Sequence, residues 1–128
     1  MKVLVDTHVL FWWVIDSRKL SPRARRMIES ADNEIAVSAA VAWELATKVR
    51  FGKWPEAAPL AASIDEAMQE YGFASLPISL EHARIAGFLP GHHRDPFDRI
   101  LAAQSQIEAV PLITADRAFL DFGTRVIW

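Results

Sequence analysis

The order of hydrophobic and polar positions predicts a chain that alternates between short buried strands and helices. Five short runs are largely apolar, as expected of strands that are covered on both faces of a parallel sheet. The candidate strands cover residues 3–5, 34–37, 73–77, 111–114 and 124–128. Most of the segments between them are long enough for crossover helices, so the pattern predicts an α/β fold in which helices cover both faces of a parallel sheet.

Helix start and stop signals divide these segments further. Ser21 followed by Pro22 places an N-cap before a proline at the first helical position, and Ser38 is placed to cap the helix after the second strand. Gly52 and Gly72 are typical of positions just past a helix C-terminus. The predicted helices cover residues 8–16, 22–30, 39–51, 60–71, 79–87 and 95–108, with a helical turn at 118–122.

Length and composition limit the class of protein. With 128 residues, of which 52% are hydrophobic, the chain has the size of one domain and enough apolar material for a core. We expect a single domain over residues 1–128. The absence of cysteine excludes disulfides, thiolate metal sites and cysteine nucleophiles. The longest apolar run, residues 9–15, is too short to cross a membrane, and Asp6 interrupts the N-terminus before a signal-peptide core, so we expect a soluble cytoplasmic protein.

The formal net charge of −2 gives no bulk basic signal for nucleic acid. Carboxylates that hold a metal ion would inflate the acidic count, however. When four candidate ligands are set aside, the rest of the chain is mildly basic. The charge is therefore compatible with an RNA partner without requiring one.

Four acidic residues are placed to meet at one edge of the predicted sheet. Asp6 directly follows the first strand, and Asp116 follows the fourth by two residues. Asp98 lies on the first turn of the helix that leads to the fourth strand, and Glu44 lies about two turns into the helix after the second. Ligands of open parallel sheets bind beyond the carboxyl ends of the strands, so we expect these side chains to share one crevice.

Converging carboxylates raise one another's pKa unless a cation lies between them. A set of oxygen ligands without cysteine suits Mg²⁺ or Mn²⁺ better than zinc. One or two such ions can activate water and stabilise the leaving oxygen in phosphodiester hydrolysis. The spacing of the carboxylates therefore favours a metal-dependent hydrolase.

Structural explanations compete for most of these residues. Asp95 and Asp98 also fit the start of a helix, as an N-cap and as an acidic residue in the first turn. Asp116 fits a turn or an N-cap, and Glu44 fits a solvated charge on an exposed helix face. Asp6 is the hardest to explain structurally, because a carboxylate directly after a buried strand needs a partner.

The motifs that contain these residues resemble the PIN-domain family, in particular its bacterial toxin branch of VapC-like ribonucleases from type II toxin–antitoxin systems. The similarity runs in order over essentially the whole chain. The matching segments are Lys-Val-Leu-Val-Asp-Thr-His-Val-Leu at 2–10 with Trp12, Ala-Trp-Glu-Leu-Ala at 42–46, His-His-Arg-Asp-Pro-Phe-Asp-Arg-Ile-Leu-Ala-Ala-Gln at 92–104 and Leu-Ile-Thr-Ala-Asp at 112–116.

The resemblance implies a three-layer α/β/α fold with a central parallel sheet of about five strands. It also implies a Mg²⁺- or Mn²⁺-dependent endoribonuclease that hydrolyses RNA through metal-activated water and is inhibited by a cognate antitoxin. The family's first three acidic positions map to Asp6, Glu44 and Asp98. Asp116 is the best match for the more variable fourth position, with Asp121 as the alternative.

Further residues take their expected roles from the same resemblance. Thr7 and Thr114 fall where the family often has a hydroxyl beside the acidic cluster, and we expect them to orient carboxylates or water. Asp95 is expected to cap the helix that carries Asp98. Four residues are candidates for contact with RNA, against the alternative of a solvated basic face. They are Arg94, Arg99, Lys48 and His93.

Two other groups have open interpretations. His8 lies two residues after Asp6, and we expect it to pack or form hydrogen bonds rather than to bind metal, because the other ligands are all oxygen. Tryptophan is abundant around the first and third helices. Those not needed for the core are expected to form a surface for a second copy of the chain, as in a homodimer, or for an antitoxin helix.

Rival families fail at particular positions. A phosphotransfer receiver needs an acidic pair after the first strand and an aspartate after the third, and residues 73–79 contain no aspartate. A haloacid-dehalogenase-type phosphatase needs a second aspartate where this chain has His8. A PIN fold that serves as a binding or scaffold module without significant nuclease turnover remains the alternative function.

Overall fold

The computed structural model describes all residues from 1 to 128. Its centre is a five-stranded sheet in the order β3-β2-β1-β4-β5, and every neighbouring pair is parallel. The strands are β1 (Lys2–Val5), β2 (Glu34–Ser38), β3 (Ala74–Leu76), β4 (Leu112–Ile113) and β5 (Val126–Ile127). The predicted parallel sheet between helical layers is therefore confirmed.

Seven α-helices connect or flank the strands. They are α1 (Thr7–Val14), α2 (Pro22–Glu29), α3 (Ala39–Arg50), α4 (Ala58–Ala62), α5 (Ile64–Tyr71), α6 (Leu80–Phe88) and α7 (Pro96–Ile107). Short 3₁₀ helices occupy Pro55–Ala57 and Arg117–Phe122. None of the helices has the length and apolar composition that crossing a membrane requires.

The single helix predicted over residues 60–71 is wrong, because the structure has two helices there. Ser63 separates them with a φ of −136°, outside the helical range. Its hydroxyl donates to the Pro59 carbonyl at 2.7 Å, and its backbone N–H donates to the Leu60 carbonyl. Serine competes in this way with the regular backbone bonds of a helix, which accounts for the break.

The strand order places β1 at the point where the chain changes its direction of travel across the sheet. From β1 the chain adds β2 and then β3 on one side, and it later returns to add β4 and β5 on the other. Leu4 is paired with Ala36 of β2 and with Leu112 of β4. The junction of β1 and β4 is thus a topological switch point, where loops diverge and leave a crevice beyond the carboxyl ends.

The core lies on both faces of the central strands. Val3, Leu4 and Val5 are almost completely buried, as are Leu112 and Ile113. Because this sheet is covered on both sides, its strands are apolar without alternation, which explains why the sequence pattern identified them. The residues that follow these strands are therefore attached to the most deeply buried part of the sheet.

Replacing Leu112 by alanine should lower the free energy of unfolding by about 2–5 kcal/mol, because the side chain is fully buried in the central sheet. Urea unfolding followed by circular dichroism would measure the change. Leu80→Ala is the matched control, since Leu80 is 92% exposed and its loss should change the free energy by less than about 0.5 kcal/mol. Equal losses for the two variants would contradict this view of the core.

Candidate active site

A hollow of about 250 Å³ lies at the switch point, beyond the ends of β1 and β4. No hydrophobic residue lines it. Its lining residues are Asp6, Thr7, His8, Glu44, Lys48, His93, Asp95, Asp98 and Asp116. The four acidic residues expected to converge are therefore brought together from distant parts of the chain. This acidic hollow is the candidate active site.

Asp6 has both a structural and an electrostatic role in the hollow. Its Oδ1 accepts a hydrogen bond from the Val9 N–H at 2.9 Å, so Asp6 is the N-cap of α1. Its Oδ2 accepts a hydrogen bond from the Thr114 hydroxyl, across the β1–β4 junction. The pKa of Asp6 is raised to about 7, mainly by burial and to a lesser extent by the nearby Asp98 and Glu44 carboxylates, although the two hydrogen bonds lower it. This capping role explains in part why an aspartate follows β1, and the sequence analysis did not predict it.

Glu44 is buried, with 4% of its surface exposed, so its interpretation as a solvated charge is wrong. Its Oε1 accepts a hydrogen bond from the Thr7 hydroxyl at 2.5 Å, and its Oε2 accepts one from the Lys48 ammonium at 2.5 Å. Burial lowers the pKa of Lys48, but the hydrogen bond and charge of Glu44 outweigh it, so the net shift is upward. Lys48 is therefore a cation held inside the acidic hollow.

Asp98 lies on the first turn of α7, which Asp95 caps by accepting hydrogen bonds from the Phe97 N–H at 2.9 Å and the Asp98 N–H at 3.1 Å. The expected capping role of Asp95 is thus observed. The Asp98 Oδ2 is hydrogen-bonded to the His93 Nε2 at 2.7 Å. Burial raises the pKa of Asp98 to about 6 although the bond to His93 lowers it. Asp98 therefore combines helix-start geometry with a partly buried carboxylate that faces the hollow.

Asp116 is the most exposed of the four acidic residues and caps the short helix that follows β4. Its Oδ1 accepts a hydrogen bond from the Ala118 N–H at 2.9 Å, and its own N–H donates to the Thr114 Oγ1 at 3.0 Å. Thr114 thus connects Asp116 to Asp6. Asp121 does not line the hollow. Asp116 is therefore both an N-cap and a member of the acidic cluster, so its two interpretations do not exclude each other.

The four candidates for RNA contact fall into two groups. Lys48 and His93 line the hollow, whereas Arg94 and Arg99 do not. The Arg99 guanidinium donates hydrogen bonds to the backbone carbonyls of Ala86 at 2.9 Å, His93 at 2.8 Å and also Leu89. Arg99 therefore fixes the loop that carries His93, rather than facing the hollow.

His8 also lines the hollow, and its ring stacks on that of Trp54 with the centroids 4.5 Å apart. The expected packing role is observed. Burial lowers the pKa of His8, and the positive charge of Lys48 lowers it further. The sequence analysis did not predict the hydrogen bonds of Lys48 to Glu44 and of His93 to Asp98. The spacing of four residues between Glu44 and Lys48 on one helix was the available signal for the first.

The chemistry of the donor set fits a hard divalent cation. The acidic side chains supply only oxygen, the ligand that Mg²⁺ and Mn²⁺ prefer, and burial holds the pKa of Asp6 and Asp98 above the usual range. As the side chains lie, however, no three acidic or histidine groups are arranged to hold one ion. A cation would therefore have to compete with Lys48 for Glu44 and with His93 for Asp98.

Comparisons with known proteins agree with the fold. Residues 3–124 match the family model described as the PIN domain. The chain is 31% identical over 117 residues to ribonuclease VapC22 of Mycobacterium tuberculosis. The matched region covers 90% of this chain and 87% of that protein.

Solved structures with lower identity show the same fold. VapBC2 of Rickettsia felis, solved in complex with a promoter DNA fragment, superposes with a TM-score of 0.72 at 18% identity and covers 99% of this chain and 98% of its own. VapC20 of M. tuberculosis, described as a sarcin–ricin loop cleaving toxin, gives a TM-score of 0.66 at 18% identity over 95% of both chains. The matched family model and the full-length relative show that the chain belongs to the PIN-domain family, as one of its VapC-like members.

Proposed function

We propose that this protein is a Mg²⁺- or Mn²⁺-dependent endoribonuclease that acts in the cytoplasm as the toxin of a type II toxin–antitoxin pair. The observation that carries the proposal is the acidic hollow, in which Asp6, Glu44 and Asp98 converge at the switch point of a PIN fold. The similarity to a VapC ribonuclease and to the fold of a toxin described as cleaving the sarcin–ricin loop supports RNA as the substrate.

Asp6, Glu44, Asp98 and Asp116 would hold the ion once Lys48 is displaced from Glu44 and His93 from Asp98. When bound, a divalent ion supplies Lewis-acid polarisation of a phosphodiester and lowers the pKa of water. The chain's own residues position these groups. Thr7 donates to Glu44, so it fixes the orientation of that carboxylate.

Thr114 orients Asp6 in the same way, by donating to its Oδ2. Lys48 supplies a positive charge at the edge of the acidic cluster, where it would attract an RNA phosphate. His93 holds a proton between its Nε2 and the Asp98 Oδ2, within the site. These contacts arrange the ligands and the substrate before reaction.

A binding or scaffold module without nuclease turnover is the second candidate. The observation that favours it is that Lys48 and His93 already occupy oxygens of Glu44 and Asp98. If those partners were not displaced, the hollow would hold no catalytic ion. The two functions differ in whether a divalent ion binds and whether RNA is cleaved.

The assembly we propose includes a cognate antitoxin and a second copy of the chain. Several solved structures of the same fold are complexes of VapB with VapC, and one is described as a toxin–antitoxin complex from Klebsiella pneumoniae. Exposed apolar side chains, among them Trp43 and Phe88, are available for such contacts.

Purified wild-type protein should cleave single-stranded RNA when Mg²⁺ or Mn²⁺ is added, and Asp6→Asn should reduce the rate on the order of 100-fold or more, because it removes a charged ligand. Gel analysis of a labelled RNA would measure the rates. Asp121→Asn is the matched control, since this exposed carboxylate does not line the hollow, and its rate should be unchanged.

Equal cleavage by wild type and Asp6→Asn would indicate a contaminating nuclease and would overturn the assignment. A folded wild type that neither binds Mn²⁺ in calorimetry nor cleaves RNA would instead support the scaffold alternative. Asp116→Asn, compared with Asp121→Asn, would decide which carboxylate is the fourth ligand.

The charge of Asp6 should destabilise the fold at neutral and alkaline pH. Its pKa is about 7 in the folded protein against an ordinary value of 3.8, so its penalty is fully present above about pH 7 and is lost as the pH falls toward 4. In a chelator, Asp6→Asn should therefore raise the Tm by several degrees at about pH 8, and the gain should shrink toward pH 4. Asparagine can still accept from Val9 and donate to Thr114.

Differential scanning calorimetry of both proteins at the two pH values would measure this effect. Mn²⁺ should raise the Tm of the wild type at about pH 8, because it binds only the folded state, and should raise that of Asp6→Asn far less. A lower Tm for Asp6→Asn at both pH values would contradict the prediction, because the buried charge would then not destabilise the folded protein. Asp121→Asn should match the wild type throughout.

Expression of the chain alone should arrest growth, and co-expression of the small protein encoded next to it should restore growth and co-purify with the chain. Asp6→Asn should be harmless when expressed at the same level. Harmless expression of an active wild-type enzyme, together with the lack of a neighbouring small reading frame, would contradict the toxin role while leaving the nuclease intact.

A further inference from the structure

A second hollow adjoins the acidic hollow on the side of α1. It measures about 470 Å³ and is built mostly from aromatic and aliphatic side chains, with one lysine and one glutamate at its margin. Its lining residues are His8, Phe11, Trp12, Ile15, Lys19, Trp54 and Glu56. His8 lines both hollows, so the two are adjacent. We call this second site the aromatic hollow.

The rings of the aromatic hollow are held in fixed orientations by one another. The His8 ring stacks on Trp54 at an interplanar angle of 22°, and Phe11 meets Trp54 edge-on with the centroids 5.0 Å apart. The centroid of the Trp12 ring lies 5.7 Å from that of His8 and 5.9 Å from that of Trp128. Planar faces that are already held in place can bind another flat ring with little further loss of side-chain entropy.

Core packing accounts for only part of this arrangement, since Trp12 and Trp54 pack against the core with one part of their surface and leave the rest uncovered. Phe11 is buried, but Trp12 and Trp54 are only partly buried, and Ile15 is 54% exposed. A soluble protein seldom leaves this much aromatic and aliphatic surface beside a polar site unless the surface binds something. The hollow therefore has room and contact area for a flat apolar ligand.

Positive charges flank the aromatic hollow. Lys19 is an exposed side chain on its lining. The Lys48 Nζ lies 5.9 Å from the centre of the Trp54 ring while it also binds Glu44 in the acidic hollow. Cations next to aromatic faces suit a ligand that alternates flat rings with phosphates.

We propose that the aromatic hollow binds one unpaired nucleobase of a single-stranded RNA whose adjacent phosphodiester lies in the acidic hollow. This inference rests on the proposed nuclease function. Stacking on aromatic side chains is the common means by which proteins hold unpaired bases, and it is tolerant of sequence because every base has a π-face. The Glu56 carboxylate on the lining can accept from an exocyclic amino group, which favours bases that carry one.

Binding of a short, fluorescently labelled 2′-O-methyl oligonucleotide, which resists cleavage, tests the proposal directly. Trp12→Leu keeps apolar bulk but removes the stacking face, and we expect it to weaken binding roughly tenfold or more. Trp13→Leu is the matched control, because Trp13 lies on the same helix but packs against Tyr71 and Phe73 and lines neither hollow. Its affinity should stay within about twofold of the wild type.

Abasic substitution along the oligonucleotide separates stacking from a general loss of structure. In the wild type, one position should lose affinity markedly when its base is removed. In Trp12→Leu, removal of the same base should cost little more, because the contact is already gone. A 2-aminopurine at that position should change fluorescence on binding to the wild type and much less on binding to Trp12→Leu.

Lys19→Ala provides a second variant if Trp12→Leu does not fold. It should weaken binding severalfold and reduce the salt dependence of the affinity, because it removes one phosphate contact. Lys2→Ala is its control, since Lys2 lines neither hollow.

Unchanged binding by folded Trp12→Leu, or an oligonucleotide with no sensitive position, would overturn the inference. A Trp12→Leu protein that binds RNA normally but no longer binds the antitoxin or a second copy of the chain would also overturn the inference, because the hollow would then be a protein interface. In each of these cases a wild type that cleaves RNA leaves the proposed function standing. A wild type that neither binds nor cleaves RNA would overturn both.

Discussion

The burial of a carboxylate at the carboxyl end of a central strand is the constraint on which the site depends. Asp6 follows β1, is only 8% exposed and lies close to other acidic groups, so its charge is disfavoured. Two hydrogen bonds hold it in place, one from the start of α1 and one from Thr114 at the end of β4. Asp6, whose buried charge is disfavoured, thus also links the sheet to the first helix through these two hydrogen bonds.

The neighbouring acidic groups are arranged by the same principle, each with a local donor or cation. Glu44 is held by Thr7 and Lys48, and Asp98 is held by His93. The loop that carries His93 is in turn fixed by Arg99 through its backbone carbonyls. Like charges can therefore stand close together because each is partly compensated, and a divalent cation would replace that local compensation with a shared one.

The sequence was sufficient to predict the sheet, because strands buried on both faces leave continuous apolar runs, and parallel strands bring their carboxyl ends to one edge. That rule also placed Asp6, Glu44, Asp98 and Asp116 together. It could not predict that Lys48 binds Glu44, that Arg99 turns to backbone carbonyls, or that Ser63 breaks a helix. These outcomes depend on side-chain orientations and competing hydrogen bonds, which local periodicity does not specify.

The two hollows share a cause in the first turn of α1. Because Asp6 caps that helix, it fixes where the helix begins and therefore which way each side chain points. Thr7 is directed to Glu44 in the acidic hollow, and His8, which lines both hollows, is stacked on Trp54. From His8 the helical spacing continues to Trp12 on the same face. The carboxylate that anchors the acidic cluster thus also helps to set the position of the aromatic surface beside it.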